Sequence, residues 1–397
     1  MGTVRNTLVG RTGRTIAVVS VLVAALVGGA CSSDDGSDSA ADDTTSSTTT
    51  AATPDESLAP PDEPGPYGVG RTTLELDDTS RERPLVADVW YPTAPDATGD
   101  PSIYSFIPGI EFASETALAD VAVSTEGPFP LVIYSHGSGG LRYIASFFTE
   151  LLASHGFVVA ALDHVGNTAV ELVTGAETDR EAVALNRVQD VQFLITEMLG
   201  VSDAVDGLFA STIDADKVGV TGHSFGGFTA FAAVGGFSND LGAVEGDDRV
   251  DAIVAMAPAS GINSADELEA VDVPTLLVSG TKDVTTPIDP DTEAAWDAIT
   301  GRPLWRVDIT DGGHQSFTDV CDYQRLLPTL NAPQLLVDAV DNYAEEGCTD
   351  ELVPIDQAHD LTNRNSVAFL LAYVAGQRDY EAFLTQEVPG EVIQVKE

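Results

Sequence analysis

The chain has 397 residues, of which 43% are hydrophobic, so it is long enough to form one large domain with a full core. It carries 63 acidic against 18 basic residues, for a formal net charge of −45, and the acids are spread along its length. Such a surface repels nucleic-acid phosphates and anionic lipid headgroups, so we expect no nucleic-acid partner. We interpret the acidity as a solvated shell that favours solubility; a cationic partner or a saline habitat are the alternatives.

Residues 1–30 have the pattern of a targeting signal. A basic segment with three arginines precedes an apolar run at 16–27, which is too short to span a membrane, and small residues then lead to Cys31. This order resembles a bacterial lipoprotein signal peptide, in which the cysteine becomes the lipidated N-terminus. Gly28 departs from that pattern, so a simple secretory signal is the alternative. We expect export, with a lipid on Cys31 holding the protein at the outer face of the cell membrane.

The segment 31–66 is rich in Ser, Thr, Asp and Pro, and Leu58 is its single large apolar residue. A segment of this composition buries too little apolar surface to offset the entropy that ordering would cost. We therefore predict a disordered acidic tether over 31–66 and one globular domain over 67–397.

The globular domain opens with strand patterns at 71–77 and 83–92, the second ending at a proline. The segment 93–127 is irregular and long for a connection, so we expect it to cover a substrate or to pack on the domain body. Beyond it, apolar runs alternate with helical patterns, which is typical of a parallel sheet flanked by helices. The predicted strands there are 130–134, 157–162, 218–220, 250–257, 273–279 and 304–309, and the predicted helices are 141–154, 180–199, 292–299 and 366–384.

One stretch organises this alternation. The strand pattern at 218–220 leads into Gly222-His223-Ser224-Phe225-Gly226, and an apolar, Ala-rich helix follows. Strand, G-x-S-x-G and helix form a nucleophile elbow, whose serine projects its hydroxyl above the sheet while the glycines admit neighbouring backbone. Ser224 is therefore the candidate nucleophile. The alternative is an ordinary strand-to-helix turn with a capping serine.

A serine hydroxyl becomes a good nucleophile when a base removes its proton and an acid orients that base. In proteins with a nucleophile elbow, these three groups occur along the chain in the order Ser, then Asp or Glu, then His. His314 lies in a Gly-rich turn after the last predicted strand and is the candidate base, preferred to His359, which follows no strand end. Asp283 lies at the carboxyl end of the strand at 273–279 and is the candidate acid. The acids weighed against it lie farther from a strand end: Asp266, Asp289 and Asp291.

When an activated serine attacks a carbonyl group, a tetrahedral intermediate forms, and two backbone N–H groups must point at its oxyanion. The residue after the nucleophile, Phe225, supplies the first. The Gly-rich loop that follows Tyr134 supplies the second, and we assign it to Ser138, with Gly137 as second choice.

The chain contains three cysteines, and two of them, Cys321 and Cys348, follow His314 in a segment at 318–363 that shows no clear period. With Cys31 lipidated, these two would be the remaining thiols of an exported protein. We therefore predict a disulfide between them.

Several motifs carry a family resemblance: PYGVG from Pro66, HGSGG after Tyr134, GHSFGG at the elbow, GTKDVTTP around Asp283 and GGH ending at His314. With these motifs the chain resembles bacterial α/β-hydrolases similar to platelet-activating-factor acetylhydrolases and the so-called predicted dienelactone hydrolases. The resemblance implies the α/β-hydrolase fold, a mostly parallel central sheet flanked by helices. True dienelactone hydrolases use a cysteine where this chain has Ser224, which counts against lactone opening. Bacterial polyester hydrolases share the same frame, so cutinase-like activity stays open.

The sequence thus predicts an exported, lipid-anchored, monomeric serine hydrolase that acts on small-molecule or polymeric esters through an acyl-enzyme. We expect no cofactor and no metal, because no His, Cys or Asp cluster has ligand spacing. A serine peptidase on the same fold is one alternative, although its relatives often carry a propeller or a large cap for which this chain has no room. A non-catalytic surface binding protein is another, and the complete set of Ser, Asp and His argues against it.

Overall fold

The structure is a computed structural model that describes residues 58–176 and 178–397. The predicted signal peptide over 1–30, Cys31 and most of the predicted tether lie outside the described residues. Within the described part of the chain, no helix is both long enough and apolar enough to cross a membrane.

The largest element is a sheet of eleven strands, and a separate hairpin adds two more. The strands are β1 (Gly68–Asp78), β2 (Arg83–Thr93), β3 (Pro101–Ile107), β4 (Ile110–Ala119), β5 (Phe129–Ser135), β6 (Val158–Leu162), β7 (Ile213–His223), β8 (Phe237–Asn239), β9 (Gly242–Val244), β10 (Ala252–Met256), β11 (Thr275–Gly280), β12 (Leu304–Ile309) and β13 (Glu391–Lys396). The sheet order is β13-β12-β11-β10-β7-β5-β6-β2-β1-β4-β3. From β6 to β12 all neighbours are parallel. Strands β2 and β13 pair antiparallel to the two ends of this run.

Helices cover both faces of the sheet. They are α1 (Ser146–Ser154), α2 (Ala169–Thr174), α3 (Arg180–Asp203), α4 (Phe225–Gly235), α5 (Ala265–Glu269), α6 (Glu293–Ala298), α7 (Val320–Leu326), α8 (Gln334–Ala344), α9 (Ile355–Tyr373) and α10 (Glu381–Leu384). Alternate residues of each central strand enter two cores: Val132 of β5 packs in the core under α1 and α9, whereas Leu131 packs in the core under α3 and α4. Burial on both faces explains why these strands read as continuous apolar runs. The predicted α/β-hydrolase fold is confirmed.

The segment at 93–127 differs from its prediction as an irregular loop. Strands β3 and β4 form an antiparallel hairpin there, and side chains along β3 alternate between exposed and buried. Tyr104 is the buried anchor, because its hydroxyl lies 2.8 Å from Nε1 of Trp90 and also contacts Glu150. The hairpin packs on the domain body, and its tip places Phe106 against Tyr323 of α7.

The segment at 318–363 is largely helical, although its sequence shows no clear period. It holds α7, α8 and the start of α9, which begins eleven residues before the predicted start at 366. Helix α9 is buried on almost every face, and its buried residues include the polar Thr362, Asn363 and Asn365. A helix surrounded by protein has no polar face, so its sequence lacks the amphipathic stripe that reveals a surface helix.

The predicted boundary of the tether at Pro66 is corrected by the structure. Leu58 packs against the core, the N–H of Gly65 donates to Oγ of Ser154 at 2.9 Å, and Nε2 of His155 donates to the carbonyl of Glu63 at 2.8 Å. These contacts attach residues 58–66 to the end of α1. Amino-acid composition indicates only how much apolar surface a segment itself can bury. Residues 58–66 are held instead by hydrogen-bond partners at the end of a distant helix, α1.

Candidate active site

Ser224 lies on a strained turn between β7 and α4. Its backbone has φ +58° and ψ −115°, a conformation that L-residues rarely adopt outside functional turns. Its N–H donates to the carbonyl of Met256 at 2.9 Å, which ties the turn to β10. Gly226 has no room for a side chain, since a Cβ there would lie 1.9 Å from the carbonyl oxygen of Ser135. The G-x-S-x-G spacing therefore follows from the close approach of β5 to this turn.

The structure brings the three candidate triad residues into one chain of contacts. Nε2 of His314 lies 2.9 Å from Oγ of Ser224, and Nδ1 of the same ring lies 2.8 Å from Oδ2 of Asp283. All three side chains are buried. Asp283 follows β11 and His314 follows β12, so the carboxyl ends of neighbouring parallel strands deliver the acid and the base to the nucleophile.

The surroundings of Asp283 keep it ionised. Burial acts to raise the pKa of this carboxyl, but the hydrogen bond and charge of His314 and bonds from Thr286 outweigh burial and bring the pKa below its usual value. Backbone N–H groups of Thr285 and Thr286 donate to Oδ1 at 2.9 and 2.8 Å, which leaves Oδ2 facing the imidazole. The carboxylate is therefore held as an acceptor for the Nδ1–H of His314.

His223 supports the site and is not a base. Burial, followed by the neighbouring His314, lowers the pKa of His223 to about 3, so its ring is neutral at physiological pH. Its Nε2 donates to the backbone carbonyl of His314 at 2.8 Å. The residue that precedes the nucleophile thus holds the loop that carries the candidate base.

The loop of Ser138 lies beside the nucleophile. A Cβ on Gly137 would come 3.3 Å from Cβ of Ser224, so the peptide that precedes Ser138 runs directly past the elbow. In the described part of the chain, the N–H groups of Ser138 and Phe225 donate to no protein acceptor. Unpaired N–H groups on the residue that follows Ser224 and on a loop beside it fit the predicted oxyanion site.

A cavity of about 720 Å³ opens onto this site. Ser138, Ser224 and His314 lie on its wall together with many apolar side chains. These include Phe106, Leu141, Ile144, Leu172, Val320 and Val340. The hairpin tip, α2, α7 and α8 therefore build a largely apolar space around the hydroxyl of Ser224, which suits an apolar group attached to the reacting carbonyl.

The predicted disulfide is present between Cys321 in α7 and Cys348, which follows α8. The bridge closes a loop that contains the whole of α8, the helix whose residues Leu336 and Val340 line the cavity. It therefore fastens one wall of the cavity to the domain.

We expect the Cys321→Ser/Cys348→Ser variant to lose about 3.5 kcal/mol of unfolding free energy, because the unfolded chain regains the entropy of an open loop. Urea denaturation of this variant and the parent, both in a Cys31→Ser background, measures the loss. In that background, thiol labelling of the denatured parent should detect no thiol before reduction and two afterwards. Two thiols without reduction would contradict the bridge.

One group of potential metal ligands lies in the described residues, where atoms of Asp319, Asp322 and His359 fall within 4.8 Å of one another. These side chains have other roles. Asp319 accepts from the N–H and the hydroxyl of Ser146 at the start of α1, and burial raises the pKa of its carboxyl to about 8. His359 contacts the carbonyl of Thr318 and stacks on Phe147. Because Asp319 already caps α1 and His359 is held by Thr318 and Phe147, we assign no metal to this group.

Sequence reasoning missed Arg187 and Asn167, which contact the loop of Ser138 from below. One signal was available. Arg187 interrupts the buried stripe of α3, between Ala184 and Val191, where a core-facing helix normally carries apolar residues.

The parallel sheet, the nucleophile elbow and the order Ser224, Asp283, His314 define the class: this is an α/β-hydrolase fold. Comparison with known proteins agrees. The family model "Platelet-activating factor acetylhydrolase, isoform II" matches residues 110–198. Platelet-activating factor acetylhydrolase of Canis lupus familiaris is 30% identical over 43% of this chain and 50% of its own length. The Bos taurus protein of the same name is 29% identical over 42% and 49%.

Two further matches are more distant. Chlorophyllase type 0 of Chenopodium album is 28% identical over 38% of this chain and 40% of its own. A ferulic acid esterase from Streptomyces cinnamoneus superimposes with a TM-score of 0.57 and 24% identity, over 78% of this chain and 91% of the esterase, which supports the fold alone. The chain spans about half the length of the curated acetylhydrolases that it matches. The resemblance to platelet-activating factor acetylhydrolases that the motifs predict is confirmed.

Proposed function

We propose that the protein is a serine hydrolase of carboxylic esters. The observation that carries this proposal is the contact chain from Ser224 through His314 to Asp283, at distances of 2.9 and 2.8 Å, on the wall of an apolar cavity. The relatives named as acetylhydrolases support ester cleavage as the reaction.

The reaction follows the general course of a serine triad. Nε2 of His314 takes the proton of Ser224 as Oγ attacks the ester carbonyl, and the carbonyl oxygen becomes an oxyanion facing the N–H groups of Ser138 and Phe225. His314 then protonates the leaving alcohol, and an acyl-enzyme remains on Ser224. A water molecule, deprotonated by the same imidazole, releases the acid. Asp283 holds the ring in the tautomer that leaves Nε2 free to accept.

The apolar cavity favours an ester with an uncharged, apolar acyl group. Active-site titration with a fluorophosphonate, followed by p-nitrophenyl esters of increasing acyl length, a polyester film and peptide anilides, tests the proposal. Labelling together with ester turnover supports it. Turnover of the anilides alone would indicate a peptidase, and a chain that neither reacts nor turns over would indicate a binding protein.

The site of action is a second part of the proposal. We infer that the protein is exported and is held at the outer face of the cell membrane by a lipid on Cys31. This rests on the basic, apolar and small-residue pattern of 1–31. We expect the Cys31→Ser variant to move from the detergent-rich to the aqueous phase when bacterial cells that express it are extracted, because the acyl chains supply the affinity for the membrane. A variant that stays in the detergent phase would contradict the anchor.

A further inference from the structure

Arg187 is a fully buried arginine in the middle of α3. Its hydrogen-bond acceptors are neutral oxygen atoms, and Nδ1 of His136 lies 3.4 Å from its Nη2. Within the described residues no carboxylate oxygen comes within 4.0 Å of its guanidinium. Burial lowers the pKa of Arg187 to about 9, so the group stays charged at neutral pH. Buried charges are normally paired, because an unpaired one loses its hydration without compensation. The charge of Asp190 favours the cation from beyond ion-pair distance, so the direct contacts of the guanidinium are with neutral groups, and this arrangement calls for a reason beyond packing.

The guanidinium of Arg187 donates hydrogen bonds to backbone carbonyls of the two residues that precede Ser138. Nη1 donates to the carbonyl of His136 at 2.7 Å, and Nη2 donates to the carbonyl of Gly137 at 3.1 Å. The same Gly137 oxygen also accepts from Nδ1 of His136 at 2.6 Å and from the N–H of Gly140 at 3.2 Å. Of these three donors, Arg187 is the charged one.

That carbonyl and the N–H of Ser138 belong to one peptide group. The bond between Gly137 and Ser138 is trans, so its C=O and N–H lie in one plane and point in opposite directions. Donors that hold the carbonyl on the α3 side therefore direct the N–H to the opposite side, where Ser138 faces the cavity.

The same arginine reaches the rest of the candidate oxyanion site. Oδ1 of Asn167 accepts from Arg187 at 2.7 and 3.1 Å, while Nδ2 of Asn167 donates to Oγ of Ser138 at 3.0 Å. The guanidinium carbon also lies 4.6 Å from the ring centre of Phe225, whose N–H is the other candidate donor. One buried cation thus contacts Phe225 directly and reaches Ser138 through the Gly137 carbonyl and the side chain of Asn167.

We propose that Arg187 is a positioning residue of the oxyanion site: it orients the Ser138 N–H by holding the Gly137 carbonyl, and its charge polarises that peptide so that the N–H donates more strongly. Hydrogen bonds in series strengthen one another, and charge acts over a longer range in a dry interior. The effect would be largest when the oxyanion forms, so it would raise turnover rather than substrate affinity. This inference rests on the proposed ester hydrolysis.

The kinetic test compares Arg187→Gln with the wild type on one p-nitrophenyl ester. We expect kcat to fall about 100-fold with KM within about threefold, since the loss of one oxyanion donor costs about a hundred- to a thousandfold in turnover. Affinity for a boronic acid, which forms a tetrahedral adduct with the serine, should fall in parallel with kcat. Arg306→Gln is the matched control, because Arg306 is also buried but pairs with Glu293 and Asp308. The control should lower the melting temperature and leave kcat unchanged.

A second measurement does not depend on turnover. The amide proton of Ser138 in the wild type should resonate downfield, and Arg187→Gln should move it upfield in a ¹⁵N-correlated spectrum while the Arg306→Gln spectrum keeps it in place. If Arg187→Gln does not fold, Asn167→Asp replaces it: the new carboxylate neutralises the guanidinium, and both kcat and the Ser138 amide shift should fall, kcat by at least about tenfold.

The outcomes separate the two proposals. A folded Arg187→Gln variant with kcat within about threefold of wild type and an unmoved Ser138 amide overturns the role of Arg187. In the replacement series, Asn167→Asp with unchanged kcat and an unmoved amide does the same. A wild-type protein without ester turnover refutes the proposed function instead, and the amide shift then still decides whether Arg187 polarises the peptide.

Discussion

Replacing Ser224 by alanine is expected to lower ester turnover by about a million-fold while the fold stays intact. Loss of the nucleophile in a serine triad has a cost of this order, because His314 and Asp283 then have no group to activate. The Oγ of Ser224 makes its contact with His314, whereas the turn itself is held by backbone bonds such as the one to Met256. Turnover of p-nitrophenyl esters, fluorophosphonate labelling and the melting temperature measure the two effects.

Ser260→Ala is the control for this substitution. Ser260 is also a buried serine near a strand end, and within the described residues its hydroxyl has no hydrogen-bond partner. We expect this control to keep wild-type turnover and labelling. A Ser224→Ala protein that hydrolyses esters at a rate near that of the control would refute the assignment of the nucleophile.

Asp283→Asn is expected to lower turnover by about ten-thousand-fold with little change in the fold. An uncharged amide no longer holds Nδ1–H of His314 as a carboxylate does, so the ring adopts the wrong tautomer and Nε2 cannot accept the serine proton. The carboxylate of Asp283 is close enough to hold the ring, since its Oδ2 lies 2.8 Å from Nδ1 of His314. Rates with one p-nitrophenyl ester across a pH series measure the loss.

Three matched substitutions test the choice of carboxylate: Asp266→Asn, Asp289→Asn and Asp291→Asn. Asp266 lies in the first turn of α5. Asp291 accepts from the N–H of Gly261 at 3.1 Å, so its loss removes a loop contact but no contact of His314. We expect all three variants to turn over within about threefold of wild type. A large loss in one of them beside a small loss at Asp283 would show that the acid of the triad is elsewhere.

The parallel strands are well predicted from the sequence, because each is buried on both faces and so forms a continuous apolar run. β12 has the predicted bounds of 304–309, and β5 extends the predicted 130–134 by one residue at each end. Prediction from the sequence fails for segments that are buried by residues distant from them in the chain. The hairpin of β3 and β4, the helix α9 and the packed residues 58–66 all depend on partners far away in the sequence, such as Trp90 for Tyr104.

The candidate triad shows the same division. Ser224 needs a strand, two close glycines and a helix within a few residues, and Asp283 and His314 each follow a strand pattern directly, so short-range signals were enough to nominate all three. Their separations of 2.8 and 2.9 Å require parallel pairing of strands that are distant in the sequence.

Long-range packing also determines the surroundings of the triad. Side chains from the β3–β4 hairpin, α2, α7 and α8 line the cavity, and Arg187 reaches the Gly137 carbonyl from a helix fifty residues farther along the chain. Local patterns report the conformation of a few neighbouring residues. The cavity beside Ser224 and the charge of Arg187 behind the candidate oxyanion site form where several elements meet. They are therefore decided by the assembled sheet and its helices.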